Sequence, residues 1–145
     1  MLNPEASGQH DSLRGIFQMK KMIADYMENG FIGNIVDMFK HDKTLYLLIG
    51  ELMSDERSRV RIGTVALVEI LKKNYYHDIS IAIHGIAKLL KNPNTTIRGD
   101  AAYLLGIIGH KDALPFLSEA FNNKEEHEMV KETIKESIEL INSNI

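Results

Sequence analysis

The feature that most constrains this chain is a unit that recurs along it. Three aspartates, Asp42, Asp78 and Asp112, are spaced 36 and 34 residues apart. Each one precedes an apolar segment with helical spacing, where a carboxylate at the N-cap position can accept hydrogen bonds from free backbone N–H groups. A fixed period of roughly 20–50 residues is typical of proteins built from stacked structural repeats. The spacing therefore predicts repeat units with boundaries at these aspartates.

A second marker recurs inside each unit, where an apolar residue and a cation open the second helix. The pairs lie 18, 19 and 18 residues after the aspartates, at Val60-Arg61, Ile97-Arg98 and Val130-Lys131. A polar residue precedes each cation by six positions, at Asp55, Asn92 and Glu125. A long cation can reach such an acceptor in its own unit or in the next one, and the guanidinium fork suits this geometry.

Between these markers, apolar residues recur with the spacing of one helical face. The pattern predicts eight helices with short connections, within residues 13–27, 31–39, 45–53, 60–71, 79–90, 97–108, 113–121 and 129–141. Asn29-Gly30 and Gly109 are predicted helix ends, since glycine readily adopts a left-handed conformation there. No segment shows strict period-two alternation, so the predicted fold class is all-α.

Composition limits the location and the chemistry of the chain. Cysteine is absent, which removes disulfides, thiolate metal sites and cysteine nucleophiles. No apolar run approaches the roughly 20 residues of a membrane span, and the start lacks a secretory signal. We therefore expect a cytoplasmic protein with no membrane partner. Residues 1–10 are small and polar and are predicted to be a disordered tail.

The segment from Asn94 to Leu117 contains an arginine, two alanines, Leu-x-x-Ile-Gly and Asp-Ala-Leu-Pro-x-Leu. This combination resembles a HEAT-like repeat of the kind found in phycobilin lyases. The resemblance is strongest over 78–117 and weakest over 112–145, where Lys131 replaces the arginine and Ser137 and Glu139 replace the Leu-Gly pair. It implies a short right-handed solenoid of about four helical hairpins, with second helices on the concave face. The single domain would span 11–145, as a capping hairpin (11–41) and three repeats (42–77, 78–111 and 112–145).

Two roles are possible for Arg61 and Arg98. They can form a structural ladder that holds neighbouring repeats, through Asp55, Arg61, Asn92 and Arg98, or they can bind an anion on the concave face. The ladder is the favoured interpretation. The same register places Ala101, Ala102 and Gly106 where small residues let helices pack closely.

The register also predicts an apolar strip on the concave face. Its residues are Ile62, Ala66 and Ile70 in one repeat and Tyr103 and Ile107 in the next. An exposed apolar strip is typical of a docking groove for a partner helix or peptide. The alternative is that the chain itself or a second copy in a homodimer covers the strip.

Other chemistry has little support in the sequence. The chain lacks GxSxG, a phosphate loop and GxGxxG, so no catalytic residues and no cofactor are assigned. His41, His77 and His110 sit at turns between units, but stacked helices about 8–10 Å apart cannot share a metal with bonds of about 2 Å. The net charge of −3 disfavours nucleic acid. Residues 112–145 carry eight acidic and three basic side chains. This acidic end is either a solvated surface or a surface that attracts a basic partner.

The sequence therefore predicts a non-enzymatic scaffold or adaptor that binds a protein or peptide on its concave face. The alternative function is a phycobilin-lyase-like protein, or another protein that handles a small ligand. That function needs an acid or base beside a pocket, and Tyr103 with Asp100 is the one cluster that the sequence offers.

Overall fold

The computed structural model describes the backbone of residues 4–144 and the side chains of residues 14–144. Over this range the chain is all-α, with eight packed α-helices and no strand, which confirms the predicted fold class. The helices are α1 (Pro4–Glu28), α2 (Ile32–His41), α3 (Ile49–Met53), α4 (Ser58–Asn74), α5 (Ile83–Ala87), α6 (Thr95–Ile108), α7 (Leu114–Phe121) and α8 (Glu128–Ser143).

The two predicted glycine stops are confirmed. Gly30 follows α1 with a φ of 83°, and Gly109 is the C-cap of α6 with a φ of 71°. Both values lie in the left-handed region, which costs a residue with a Cβ more than it costs glycine. These two positions fix where the chain turns back after its longest helix and after α6.

Three of the predicted helices are partly 3₁₀. A 3₁₀ segment, Lys43–Leu48, leads into α3, and two others, Ile79–Ala82 and Lys88–Lys91, flank α5. A fourth, Lys111–Ala113, leads into α7. Each predicted helix is thus present as a continuous helical stretch, but its tighter ends leave only one or two α-helical turns in α3 and α5.

The helices pack in two rows. In one row α1, α4, α6 and α8 contact one another in that order. In the other, α2 contacts the lead of α3, α3 contacts α5, and α5 with its flanking segment contacts α7 with its lead. Cross-contacts join α3 to α4, α5 to α6 and α7 to α8, so the apolar core lies between the rows. The most extensive contact is between α6 and α8.

Small residues set the closest approaches between neighbouring helices. A Cβ added at Gly50 on α3 would lie 2.5 Å from the carbonyl oxygen of Gly85 on α5. A Cβ added at Gly106 on α6 would collide with the side chain of Ser137 on α8. Ser137 Oγ also donates a hydrogen bond of 2.7 Å to the carbonyl of Ala102. Gly106 thus makes room for the next helix of its own row.

The predicted aspartate caps hold at one of three positions. The Asp42 carboxylate accepts from the N–H of Thr44 at 3.0 Å, at the start of the lead into α3. Asp78 precedes the lead into α5 but makes no capping hydrogen bond. Its carboxylate instead lies 3.3 Å from Lys43 Nζ in the preceding unit.

The N-cap predicted at Asp112 is wrong. Asp112 lies inside the 3₁₀ segment, and His110 is the capping residue. His110 Nδ1 accepts from the N–H of Asp112 at 3.1 Å. An imidazole nitrogen at the N-cap, two residues before the N–H from which it accepts, can take the same place as a carboxylate oxygen. His127 repeats the arrangement at α8, where its Nδ1 accepts from the N–H of Met129 at 3.1 Å.

The predicted disordered tail, residues 1–10, lies outside the described side chains. The backbone is helical from Pro4, whereas the sequence analysis placed residues 1–10 in a disordered tail. Residues 1–3 lie outside the described backbone and residues 1–13 outside the described side chains. The tail and the domain boundaries therefore stay predictions.

We expect Gly50→Ala to lower the free energy of unfolding by about 1–3 kcal/mol, because the added methyl must push α3 away from the backbone of α5. Gly33→Ala is the matched control, since nothing lies within 4 Å of a Cβ added there, at the second residue of α2. That change should be neutral or should stabilise the protein by up to about 1 kcal/mol. Chemical denaturation of both variants measures the difference, and equal stabilities would contradict the close approach.

Candidate functional site

Arg61 and Arg98 occupy equivalent places in α4 and α6. Each is the fourth residue of its helix, whereas the sequence analysis placed it one residue after the helix start. The apolar pattern starts at the first apolar residue of each helix, the buried Val60 and the half-buried Ile97, and it misses the polar residues before them. Lys131 is likewise the fourth residue of α8.

The two guanidinium groups bind the turn before their helix in the same way. Arg61 Nη1 donates to the carbonyls of Asp55 and Glu56, at 2.7 and 3.0 Å. Arg98 Nη1 donates to the carbonyls of Asn92 and Pro93, at 2.9 and 3.2 Å. The acceptors six residues before the arginines are therefore backbone oxygens, and not the side chains that the sequence analysis had in view.

The side chains at those positions bind elsewhere. The Asp55 carboxylate accepts from the backbone N–H and from Nε of Arg57, at 2.9 and 3.1 Å. Asn92 Oδ1 accepts from the N–H of Asn94 at 2.9 Å. Burial alone would raise the pKa of Asp55, but the hydrogen bonds from Arg57 outweigh it and hold the pKa below its ordinary value.

Each arginine also meets an acid from the following unit. Arg61 Nε lies 3.7 Å from Asp100 Oδ2 on α6, and Arg98 Nε lies 3.0 Å from Glu126 Oε2 in the turn before α8. Arg98 donates to both oxygens of Glu126. Burial would raise the pKa of Glu126, but the hydrogen bonds from Arg98 and from the N–H of His127 lower it. Glu126 is therefore a buried, ionised anchor for Arg98.

The predicted strip is exposed at two of its five residues. Ile62 on α4 is 69% exposed and Tyr103 on α6 is 52% exposed. Ala66, Ile70 and Ile107 are half-buried. The three residues on α4 are four and eight positions apart and the two on α6 are four apart, so each set shares one helical face. Ile107 also packs against the core.

A groove between α4 and α6 brings part of the strip together. It has a volume of about 490 Å³ and is lined by Ile62, Ala66 and Tyr103 of the strip, together with residues that include Arg61, Glu69 and Asp100. Ile70 and Ile107 do not line it. The groove thus has apolar walls and an ion pair between Arg61 and Asp100 at its side.

The carboxyl group of Asp100 in this groove has a shifted pKa. Burial raises the pKa of its carboxyl above the ordinary value, and the Arg61 charge only partly opposes that effect. Asp100 lies on the same helix as Tyr103, three positions earlier, and lines the same groove. The arrangement offers a carboxyl group that holds its proton more tightly than a free aspartate.

The sequence analysis missed a second groove in the other row. It lies between α5, with its flanking 3₁₀ segment, and α7, and has a volume of about 500 Å³. Its rim holds His84, whose ring meets Phe116 edge-on with centroids 5.3 Å apart. No motif joins these two residues, which are 32 positions apart, so only the packing of the rows reveals them.

The histidines at the turns between units have local roles or remain exposed. His110 caps a helix, and His41 and His77 are exposed. Among the side chains of residues 14–144, no group of three His, Asp or Glu is arranged to hold a metal ion. Within residues 4–144, none of the helices combines the length and the apolar character that crossing a membrane requires.

Comparisons with known proteins give no relative from which to transfer a role. No model of a known protein family matches the sequence, and no curated protein matches it.

We expect Arg98→Ala to lower the free energy of unfolding by roughly 3 kcal/mol, because it leaves the buried carboxylate of Glu126 without its partner. Lys91→Ala removes an ion pair with Glu119 whose side chains are 79% and 66% exposed, and it should cost less than about 1 kcal/mol. Chemical denaturation at neutral pH compares the two. A loss at Arg98 no larger than at Lys91 would refute a structural role for the arginine.

Proposed function

We propose that this chain is a short solenoid of four HEAT-like helical hairpins and acts as a non-enzymatic scaffold for a protein or peptide partner. The two rows of helices support the solenoid, since repeat units bury their apolar faces against their neighbours. Three polar contacts each join residues 35 positions apart: Lys43 with Asp78, Lys72 with the Ile107 carbonyl, and Ser137 with the Ala102 carbonyl. The recurring offset matches the period of the sequence.

The observation that carries the functional proposal is the exposure of Ile62 and Tyr103 in one groove. Single exposed apolar residues are ordinary, but two large ones on neighbouring helices, with half-buried Ala66 between them, form a patch that gains from being covered. An apolar centre with charged residues at its edge is the usual composition of a protein interface. Tyrosine is also enriched among residues that dominate binding energy.

The proposal predicts that Ile62→Glu and Tyr103→Glu each abolish partner capture and leave the helical content and melting temperature unchanged. Both side chains are exposed, so a charge there is solvated in the free protein and buried only in the complex. Leu47→Glu is the matched control, since Leu47 is 62% exposed in the other row.

The measurement is affinity capture from an extract of the cells that make the protein, with mass spectrometry of what each variant retains. The expected partner is retained by the native chain and by Leu47→Glu, and lost with both other variants. A set of captured proteins that is the same for all four chains would argue against the strip.

A second candidate function rests on Asp100 and Tyr103, which line one groove. An acid with a raised pKa beside a phenol is a reasonable pair for handling a small ligand such as a tetrapyrrole. The ion pair of Asp100 with Arg61 favours a structural role for the carboxyl, and we rank this function below the scaffold.

The two functions separate in a titration with biliverdin. If the chain is a scaffold, the absorbance spectrum of biliverdin stays unchanged when the protein is added. A spectral change that Asp100→Asn or Tyr103→Phe removes would favour the small-ligand function instead.

A further inference from the structure

On α8, the positions aligned with the apolar strip hold two acidic residues, Glu132 and Glu136. Glu132 and Glu136 lie 33 residues after Gly99 and Tyr103, and the same interval separates the fourth helical residues Lys131 and Arg98. In the repeat register, the two glutamates are thus the α8 equivalents of the strip positions on α6. Both are exposed, and neither forms an ion pair among residues 14–144.

A third acidic residue, Glu69, lines the groove between α4 and α6, and the guanidinium group that also lines it already has hydrogen-bond partners. Glu69 lines it, is exposed, and has no ion-pair partner within the described side chains. Arg61 also lines it, but its guanidinium is occupied by two carbonyls and by Asp100.

Four cations of α4 and α8 flank the strip. Arg59 and Lys73 are in the first and last turns of α4. On α8, the half-buried Lys131 and the exposed Lys135 precede the two glutamates by one position each, which turns their side chains by about 100° around the helix. Both lysines line one groove with Glu132. Glu69 and Glu136 do not line that groove, so in the repeat register these two acids carry the negative charge beside the apolar patch.

We propose that the partner is an amphipathic helix with an apolar face and a basic flank, whose lysines or arginines face Glu132 and Glu136. The inference rests on the proposed function and specifies the chemistry of its partner. Packed helices lie about 8–10 Å apart, so the glutamates are one helix spacing from the Tyr103 position. In a partner helix lying across the row, about six residues span that distance, so its cations follow its apolar anchors by a little under two turns. Complementary charge of this kind sets orientation and partner choice.

The probe is a fluorescein-labelled helical peptide of about 14 residues, which matches the roughly 20 Å across α4, α6 and α8. One version carries leucine on one face and lysine on the other, and its twin carries glutamate in place of lysine. Fluorescence anisotropy at physiological ionic strength should give the native chain a Kd for the lysine peptide at least about tenfold lower than for the glutamate peptide.

Charge reversal with Glu132→Lys and Glu136→Lys should exchange this preference. The double variant loses at least about tenfold in affinity for the lysine peptide and gains affinity for the glutamate peptide. Asp37→Lys with Glu125→Lys is the matched control, because it changes the net charge equally at two exposed positions on α2 and in the turn before α8. That control should keep the native preference.

The variants at Ile62 and Tyr103 tell the two proposals apart. If Ile62→Glu and Tyr103→Glu abolish binding but charge reversal does not change the preference, the strip binds a helix and the basic partner is wrong. If the control reverses the preference as well, only net charge matters and the inference is overturned. If neither peptide binds, or the strip variants bind like the native chain, the proposed function fails together with the inference.

Discussion

One guanidinium group holds together three parts of the chain at the start of α6. Arg98 binds the carbonyls of Asn92 and Pro93 in the turn that precedes its helix, and it binds both carboxylate oxygens of Glu126 in the following unit. A turn, a helix and a neighbouring unit thus share a single side chain. Only arginine has enough donors in a fixed planar arrangement for this set of bonds. Arg61 repeats the carbonyl bonds with a longer ion pair to Asp100, which fixes α4 in the same register.

Once these starts are fixed, close approach decides how the rows pack. Gly50 and Gly85 bring the backbones of α3 and α5 into contact, and Gly106 admits Ser137 of α8. The Ser137 hydroxyl is buried, and its hydrogen bond to the Ala102 carbonyl satisfies it. The polar residue at this position is therefore compensated by the contact that it makes.

The sequence predicted the helices well because their apolar periodicity reports burial directly. Ile97 to Ile108 was predicted as a helix, and α6 covers that segment with two polar residues added at its start. The glycine stops followed from backbone sterics, which are local. The partners of Arg61 and Arg98 could not be derived in the same way. A spacing of six residues is the same whether the acceptor is a side chain or a carbonyl, and only the path of the turn distinguishes them.

The candidate site was predicted in part for the same reason. Helical spacing placed Ile62, Ala66 and Tyr103 on one face, and the structure brings these three together in a groove. Spacing could not tell that Ile70 and Ile107 lie outside it, or that His84 meets Phe116 in the other row, since both depend on how neighbouring helices are displaced along their axes.

The stability of the fold does not require apolar side chains at the exposed positions Ile62 and Tyr103. The buried faces of α4 and α6 are complete without Ile62 and Tyr103, since Val60, Leu67 and Leu71 are fully buried on α4 and Leu104 and Leu105 on α6. Polar residues at the two exposed positions would leave the core as it is and would be better solvated. The arginines that fix the helix starts also fix which residues face outward. The register that stabilises the chain therefore also decides that Ile62 and Tyr103 face outward, and a partner with an apolar face would cover both of them together.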